Sequence, residues 1–167
     1  MSQVRYKRPE SAVIVAFTML MSGCAAPIHP PESQALPTPS SWQAGSSWQF
    51  HIIDTDGAWI GSIDLALHDY SMSTCSSGNW KEAEVLKSTA DAIGISAAVA
   101  YEIDGTRIVI DLHANICDSN TMMQGRIFET GATGRVYFDS PWMSDDCDIG
   151  TFTAAPLGES MGTKEET

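Results

Sequence analysis

The sequence predicts an α+β fold dominated by antiparallel β-structure, with about six strands in a small barrel or curled sheet and one helix. Three observations carry this. Apolar residues alternate over short stretches after residue 46, glycine-bearing turns separate those stretches at hairpin spacing, and one stretch between the first two hairpins has apolar residues at helical spacing. Residues 46–157 hold enough aromatic and β-branched side chains for a packed core, so they are expected to form a single β-rich globular domain.

Trp48, Phe50 and Ile52 share one face of the first strand, and after the turn Asp56-Gly57 Trp59, Ile63, Leu65 and Leu67 are expected to share one face again. A two-residue type I′ turn there sets Phe50 opposite Ile63 and Trp48 opposite Leu65, so the two apolar faces coincide. At Asp104-Gly105 the same geometry sets Tyr101 against Ile108 and Val99 against Ile110. It also sets Glu102 against Arg107, a cross-strand pair whose signs agree with the register. Between these hairpins Asn79 has the position of an N-cap, Glu82 follows three residues on, and Ala83, Leu86, Ala90 and Ile93 recur at helical spacing before Gly94. A helix is expected there, with a strand over Lys81–Leu86 as the rival. A third hairpin is expected from Gln124–Glu129 and Arg135–Asp139 around Gly131-Ala132-Thr133-Gly134.

Upstream of this domain the chain starts with Arg5, Lys7 and Arg8, continues with an apolar stretch from Ala12 to Leu20, and ends the stretch on Met19-Leu20-Met21-Ser22-Gly23-Cys24. The apolar run falls short of the ~20 residues that span a bilayer and has the layout of a secretion signal. Its end resembles the lipobox of bacterial lipoproteins, with Met21 standing where that family usually has Leu. The resemblance implies cleavage after residue 23 and lipidation of Cys24. Ala25 in place of an Asp implies an outer-membrane, periplasm-facing location. Acyl chains hold such a protein at the bilayer through ~0.8 kcal/mol per buried CH₂.

Residues 24–45 carry Pro27, Pro30, Pro31, Pro37 and Pro39 among small polar residues, the composition of an extended tether leading from lipidated Cys24. Residues 158–167 are polar and read as a flexible tail.

The whole chain has 9 basic and 21 acidic residues, a net charge of -12. Removing residues 1–23 takes away Arg5, Lys7, Arg8 and Glu10 and leaves 6 against 20, or -14. A basic nucleic-acid footprint is therefore absent, and acidity of this kind keeps an exported protein in solution. With Cys24 lipidated, Cys75, Cys117 and Cys147 permit one disulfide and one free thiol in an oxidising compartment. Cys75 with Cys117 is the favoured pair and Cys117 with Cys147 the alternative.

No catalytic residue set is legible. There is no Gly-x-Ser-x-Gly elbow, phosphate loop or dinucleotide fingerprint. His51, His68 and His113 fall on the polar phase of their strands beside Asp64 and Asp111. The first hairpin's register pairs His51 with Ser62, which places His68 roughly 20 Å away at about 3.3 Å per residue, so no metal cluster and no cofactor is expected. The run Asp145-Asp146-Cys147-Asp148 lacks the spacing of an EF-hand loop and reads as a solvated acidic turn. Carboxylate pairs such as Asp64 with Asp69, or Asp111 with Asp118, carry no weight in an acidic protein. Met72, Met122 and Met123 with Trp59, Trp142 and Phe128 offer material for an apolar pocket but read first as core and rim.

The sequence thus points to an outer-membrane-anchored periplasmic lipoprotein acting as a non-catalytic interaction module. Its expected partners are the membrane, through the lipid anchor, and an envelope protein met by an aromatic surface around Trp42, Trp48 and Trp142. The alternative is a lipocalin-like carrier of a small apolar ligand, on architectural analogy alone.

Overall fold

A computed structural model describes residues 36–140 and 147–158. Eight antiparallel strands run β1 (Ser47–Asp54), β2 (Trp59–Ser71), β3 (Lys81–Ser88), β4 (Val99–Asp104), β5 (Arg107–Asp111), β6 (Asn120–Phe128), β7 (Gly131–Asp139) and β8 (Cys147–Pro156). Each pairs with the next and β8 returns to β1, so the sheet closes into an up-and-down barrel. Closure leaves no unpaired sheet edge. No helix among the described residues is long and apolar enough to cross a membrane.

The alternation seen in the sequence is the inside–outside alternation of this barrel. Trp48, Phe50, Ile52, Ile63, Leu65, Leu67, Ile108, Ile110, Met123, Val136 and Phe152 are all but inaccessible to solvent and form one core cluster. Around the barrel Ile52 faces Phe152, Phe152 faces Gly134, Gly134 faces Gly125, Gly125 faces Ile108, and Ile108 faces Ile103. The two glycines make room for the Phe152 ring: a Cβ on Gly134 would lie 2.6 Å from it and one on Gly125 2.8 Å. This is why the Gly131–Gly134 stretch, expected as a turn, runs inside β7, with the reversal at Glu129-Thr130 instead.

The expected helix is absent. Lys81–Ser88 forms β3, the rival reading, and a single 3₁₀ turn follows at Asp91–Ile93, closed by Gly94. Asn79 caps nothing; its N–H donates to Glu102 Oε1 at 2.7 Å. Local helix preference loses here because closing the barrel requires a strand between β2 and β4, and Ala83 supplies an inward side chain small enough for that seam. Strand β8 was not foreseen either. Its Thr- and Ala-rich sequence is a weak strand signal until Gly150, Phe152 and Ala154 are seen to alternate inward.

The first hairpin has the expected pairs Phe50–Ile63, Trp48–Leu65 and His51–Ser62. Its turn is wider than two residues. Asp54 Oδ1 accepts from Asp56 and Ala58 N–H at 2.9 and 2.8 Å, and a bulge brings Ile53 opposite Trp59. The second hairpin reverses at Gly105-Thr106, one residue later than expected, with Gly105 at φ +58°. Positive φ at the first central position is what a type II′ turn requires. Consequently Tyr101 faces Ile110, Asp104 faces Arg107, and the expected Glu102–Arg107 pair is replaced by Glu102 opposite Val109.

Candidate functional site

At the end of the barrel where β1 begins, the chain before β1 folds back as a plug. Ser40–Trp42 make one 3₁₀ turn, and the Trp42 indole stacks on Trp48 with ring centroids 3.7 Å apart at 9°. Its edge meets Phe50, and its Nε1 donates to Phe128 O at 2.8 Å. Glu129 clamps the turn by accepting from Ser40 N–H at 3.1 Å and Ser41 N–H at 3.4 Å. Led by the Ser40 bond, these contacts hold its carboxyl below the usual range. Residues expected in the tether, Ser40–Gly45, are thus packed against the barrel, and Gly45 N–H donates to Leu67 O at 2.7 Å.

Beside the plug lies an open cleft of about 380 Å³ lined by Trp42, Asp69, Asn79, Lys81, Tyr101 and Ile103, among others. Its two charged groups and its phenol are already engaged. Lys81 pairs with Asp69, and Tyr101 donates its hydroxyl to His68 O at 2.8 Å. Burial, reinforced by the Asp69 charge, pushes the Tyr101 hydroxyl pKa up to about 12, so it stays a protonated donor at neutral pH.

On the outside, the β2–β3 connection crosses β4, β5 and β6 as a strap. Met72 and Trp80 pack on Ala100, Val109, Met122 and Tyr137, and Cys75 is bonded to Cys117 in the β5–β6 loop. The favoured disulfide is the one present, and Cys147 is a free, exposed thiol. Close to the strap, Asp111 is fully buried. Its Oδ1 accepts from His113 N–H at 2.9 Å and its Oδ2 from Asn120 Nδ2 at 3.1 Å. Burial pushes its carboxyl up, and the same His113 N–H pulls the other way.

The structure scatters the other candidate residues. Trp42 and Trp48 are 2% and 1% exposed, so they cannot form the expected surface patch; they are core because the plug carries one onto the other. Trp142, Cys24, Asp145 and Asp146 lie outside the described residues. His51 is exposed, His68 contacts Glu84 at 3.2 Å, and His113 Nδ1 accepts from Thr121 N–H at 3.1 Å. No group of three or more His, Cys, Asp or Glu among the described residues is placed to hold a metal ion. Met123 points into the barrel and Met122 sits under the strap, while Trp59 and Phe128 are exposed. They form no common pocket. Asp64 accepts from Gln49 Nε2 at 2.9 Å and is not paired with Asp69.

Sequence reasoning missed the plug and the burial of Asp111. A Trp directly after a proline-rich stretch was the only signal for the first. The second had none, because a lone Asp in a strand looks the same whether a loop covers it or not. No protein-family model, curated protein or solved structure matches this chain.

Proposed function

We propose that this chain is an outer-membrane-anchored, periplasm-facing lipoprotein whose barrel is a non-catalytic module docking onto an envelope component. The observation that carries the reading is the filled interior. Large side chains from β1, β2, β5, β6, β7 and β8 occupy the barrel axis, and the chain's own Trp42 closes one mouth. A filled barrel leaves the outer face and the rims as working surfaces. The eight-stranded meander is the architecture expected of the carrier alternative, but side chains stand where its ligand would sit, and no observation favours it.

Native mass spectrometry on the protein extracted gently from its own membrane tests this. A bound envelope polymer or second polypeptide, lost on denaturation, is the expected result, together with acyl mass on Cys24. A small apolar molecule as the sole non-covalent addition would overturn the docking reading in favour of the carrier.

A further inference from the structure

Arg107 opens β5, Arg126 lies near the end of β6, and the two are direct cross-strand partners. Their neighbours Ile108 and Ile127 are buried in the barrel, so by alternation both arginines point outward, as does Phe128, two residues beyond Arg126 and half-exposed. One strand spacing of about 4.8 Å separates the arginines, and Phe128 is about 7 Å further along β6, so all three share one side of the barrel. Like charges directly opposite each other in an antiparallel pair are destabilising. Yet among the described residues neither Arg107 nor Arg126 is in an ion pair, although the chain has 21 acidic residues. Glu129, next after Phe128, accepts from Ser40 and Ser41 N–H and is drawn across the barrel mouth to the plug. That leaves Asp104, opposite Arg107 on β4, as the flanking carboxylate.

The chain comes onto the barrel at this same rim. Leu36, an exposed side chain, runs against the β4–β5 turn, its carbonyl oxygen 2.5 Å from where a Cβ on Gly105 would lie, and Gly105 is two residues before Arg107. Twelve residues lead from Cys24 to Leu36. Fully extended, a chain of that length reaches at most about 43 Å. An anchor on Cys24 therefore holds the barrel by the rim that carries Leu36, Phe128 and the arginine pair.

We infer that this rim rests on the bilayer that holds the anchor, with Arg107 and Arg126 taking the phosphate of an anionic phospholipid headgroup and Phe128 and Leu36 entering the acyl boundary. The inference rests on the anchored-lipoprotein reading and adds a second membrane contact to it, made by the folded barrel. Guanidinium forks pair with phosphate two bonds at a time, and a phosphate between the two arginines offsets their repulsion. Basic side chains beside exposed apolar ones are the pattern of an interfacial contact. An acidic protein would also satisfy the arginines, but the tether delivers this rim to a bilayer and to no particular protein. The net charge of -12 opposes the approach only weakly, because at physiological ionic strength charges beyond about 8 Å are largely screened.

The test is hydrogen exchange on the full, lipidated protein in two kinds of vesicle, phosphatidylcholine alone and equal parts of phosphatidylcholine and phosphatidylglycerol. The turn amides of Gly105, Thr106 and Thr130 are expected to exchange at least fivefold more slowly on the anionic vesicles, since each basic residue at such a surface strengthens contact about fivefold. Molar salt, which shortens the screening length to about 3 Å, should abolish the difference. Residues 56–58, in the β1–β2 turn at the other end of the barrel, should show none. Arg107→Gln with Arg126→Gln should lose the slowing while the melting temperature stays level or rises, since a repulsion is removed. Phe128→Ser should reduce the slowing, Asp104→Asn should deepen it, and Lys87→Gln, on β3, should leave it unchanged. Equal exchange on both vesicles overturns the inference. So does the same slowing on neutral vesicles when poly-L-glutamate is added, which would make the partner an acidic polypeptide. Acyl mass on Cys24 with equal exchange leaves the anchored reading standing without this contact, and no acyl mass on Cys24 overturns both.

Discussion

Breaking the strap's crosslink tests how this barrel holds its outer cover. Cys75 and Cys117 are 42 residues apart in sequence, and their bond closes a loop that contains β3, β4 and β5. In the chain-entropy description, a loop of that length costs the unfolded state about 13 cal/mol/K of freedom, so the bond contributes about 4 kcal/mol at 25 °C. With an unfolding entropy near 2.1 cal/mol/K per residue over a domain of roughly 120 residues, the double variant Cys75→Ser, Cys117→Ser should melt about 15 °C lower. Circular dichroism melts of both proteins measure this, and hydrogen exchange should show the Met72–Trp80 amides losing protection first, since the strap lies outside the closed strand network. A drop of only two or three degrees would refute the reasoning. It would mean that Trp80 and Met72 hold the strap by packing alone, or that the unfolded chain is already compact enough for the crosslink to remove little freedom.

Three further outcomes follow from particular contacts. Gly134→Ala places a methyl 2.2 Å from Gln124 O and 2.6 Å from the Phe152 ring, so overpacking should destabilise the barrel by about 1–3 kcal/mol in urea titrations, whereas Thr133→Ala on the outer face should cost far less. Trp42→Ala should cost about 3–5 kcal/mol and change the tryptophan emission; a loss below 1 kcal/mol would show the plug to be dispensable. Asp111 has a folded pKa raised by burial, so its contribution to stability is fully present below the unfolded carboxylate value and is lost as pH rises through the folded one. Asp111→Asn should therefore gain on the wild type as pH rises across that window in melts between pH 3 and 8; a difference independent of pH would refute the assignment.

Within hairpins the sequence was informative because one physical rule, alternation with a period of two, governs both strands. Phe50–Ile63 and Trp48–Leu65 are paired as that rule requires. At Asp104-Gly105 the faces were legible while the register was off, because reversing at Gly105-Thr106 keeps Tyr101 and Ile108 inward and only exchanges partners. The segment after Asn79 misled because Lys81-Glu82-Ala83-Glu84 has good local helix preference, and only the gap between β2 and β4 turns it into a strand. None of the surface relationships could be read from one strand. Arg107 meets Arg126 only through the β5–β6 register, Trp42 becomes core only because Glu129 and Phe128 hold its turn, and Asp111 is buried beside a strap bonded to Cys117.

The amino-acid sequence by itself determined the β-rich character of the domain and the inward faces of its hairpins, since these depend on local periodicity and composition, while the choice between Cys75 and Cys147 as the partner of Cys117 was left to the tertiary structure. Tertiary structure alone decided that the sheet closes with eight strands, that its interior is filled, and which polar groups end up buried or side by side. Those outcomes depend on contacts between residues far apart in the chain, whose energies no local pattern encodes.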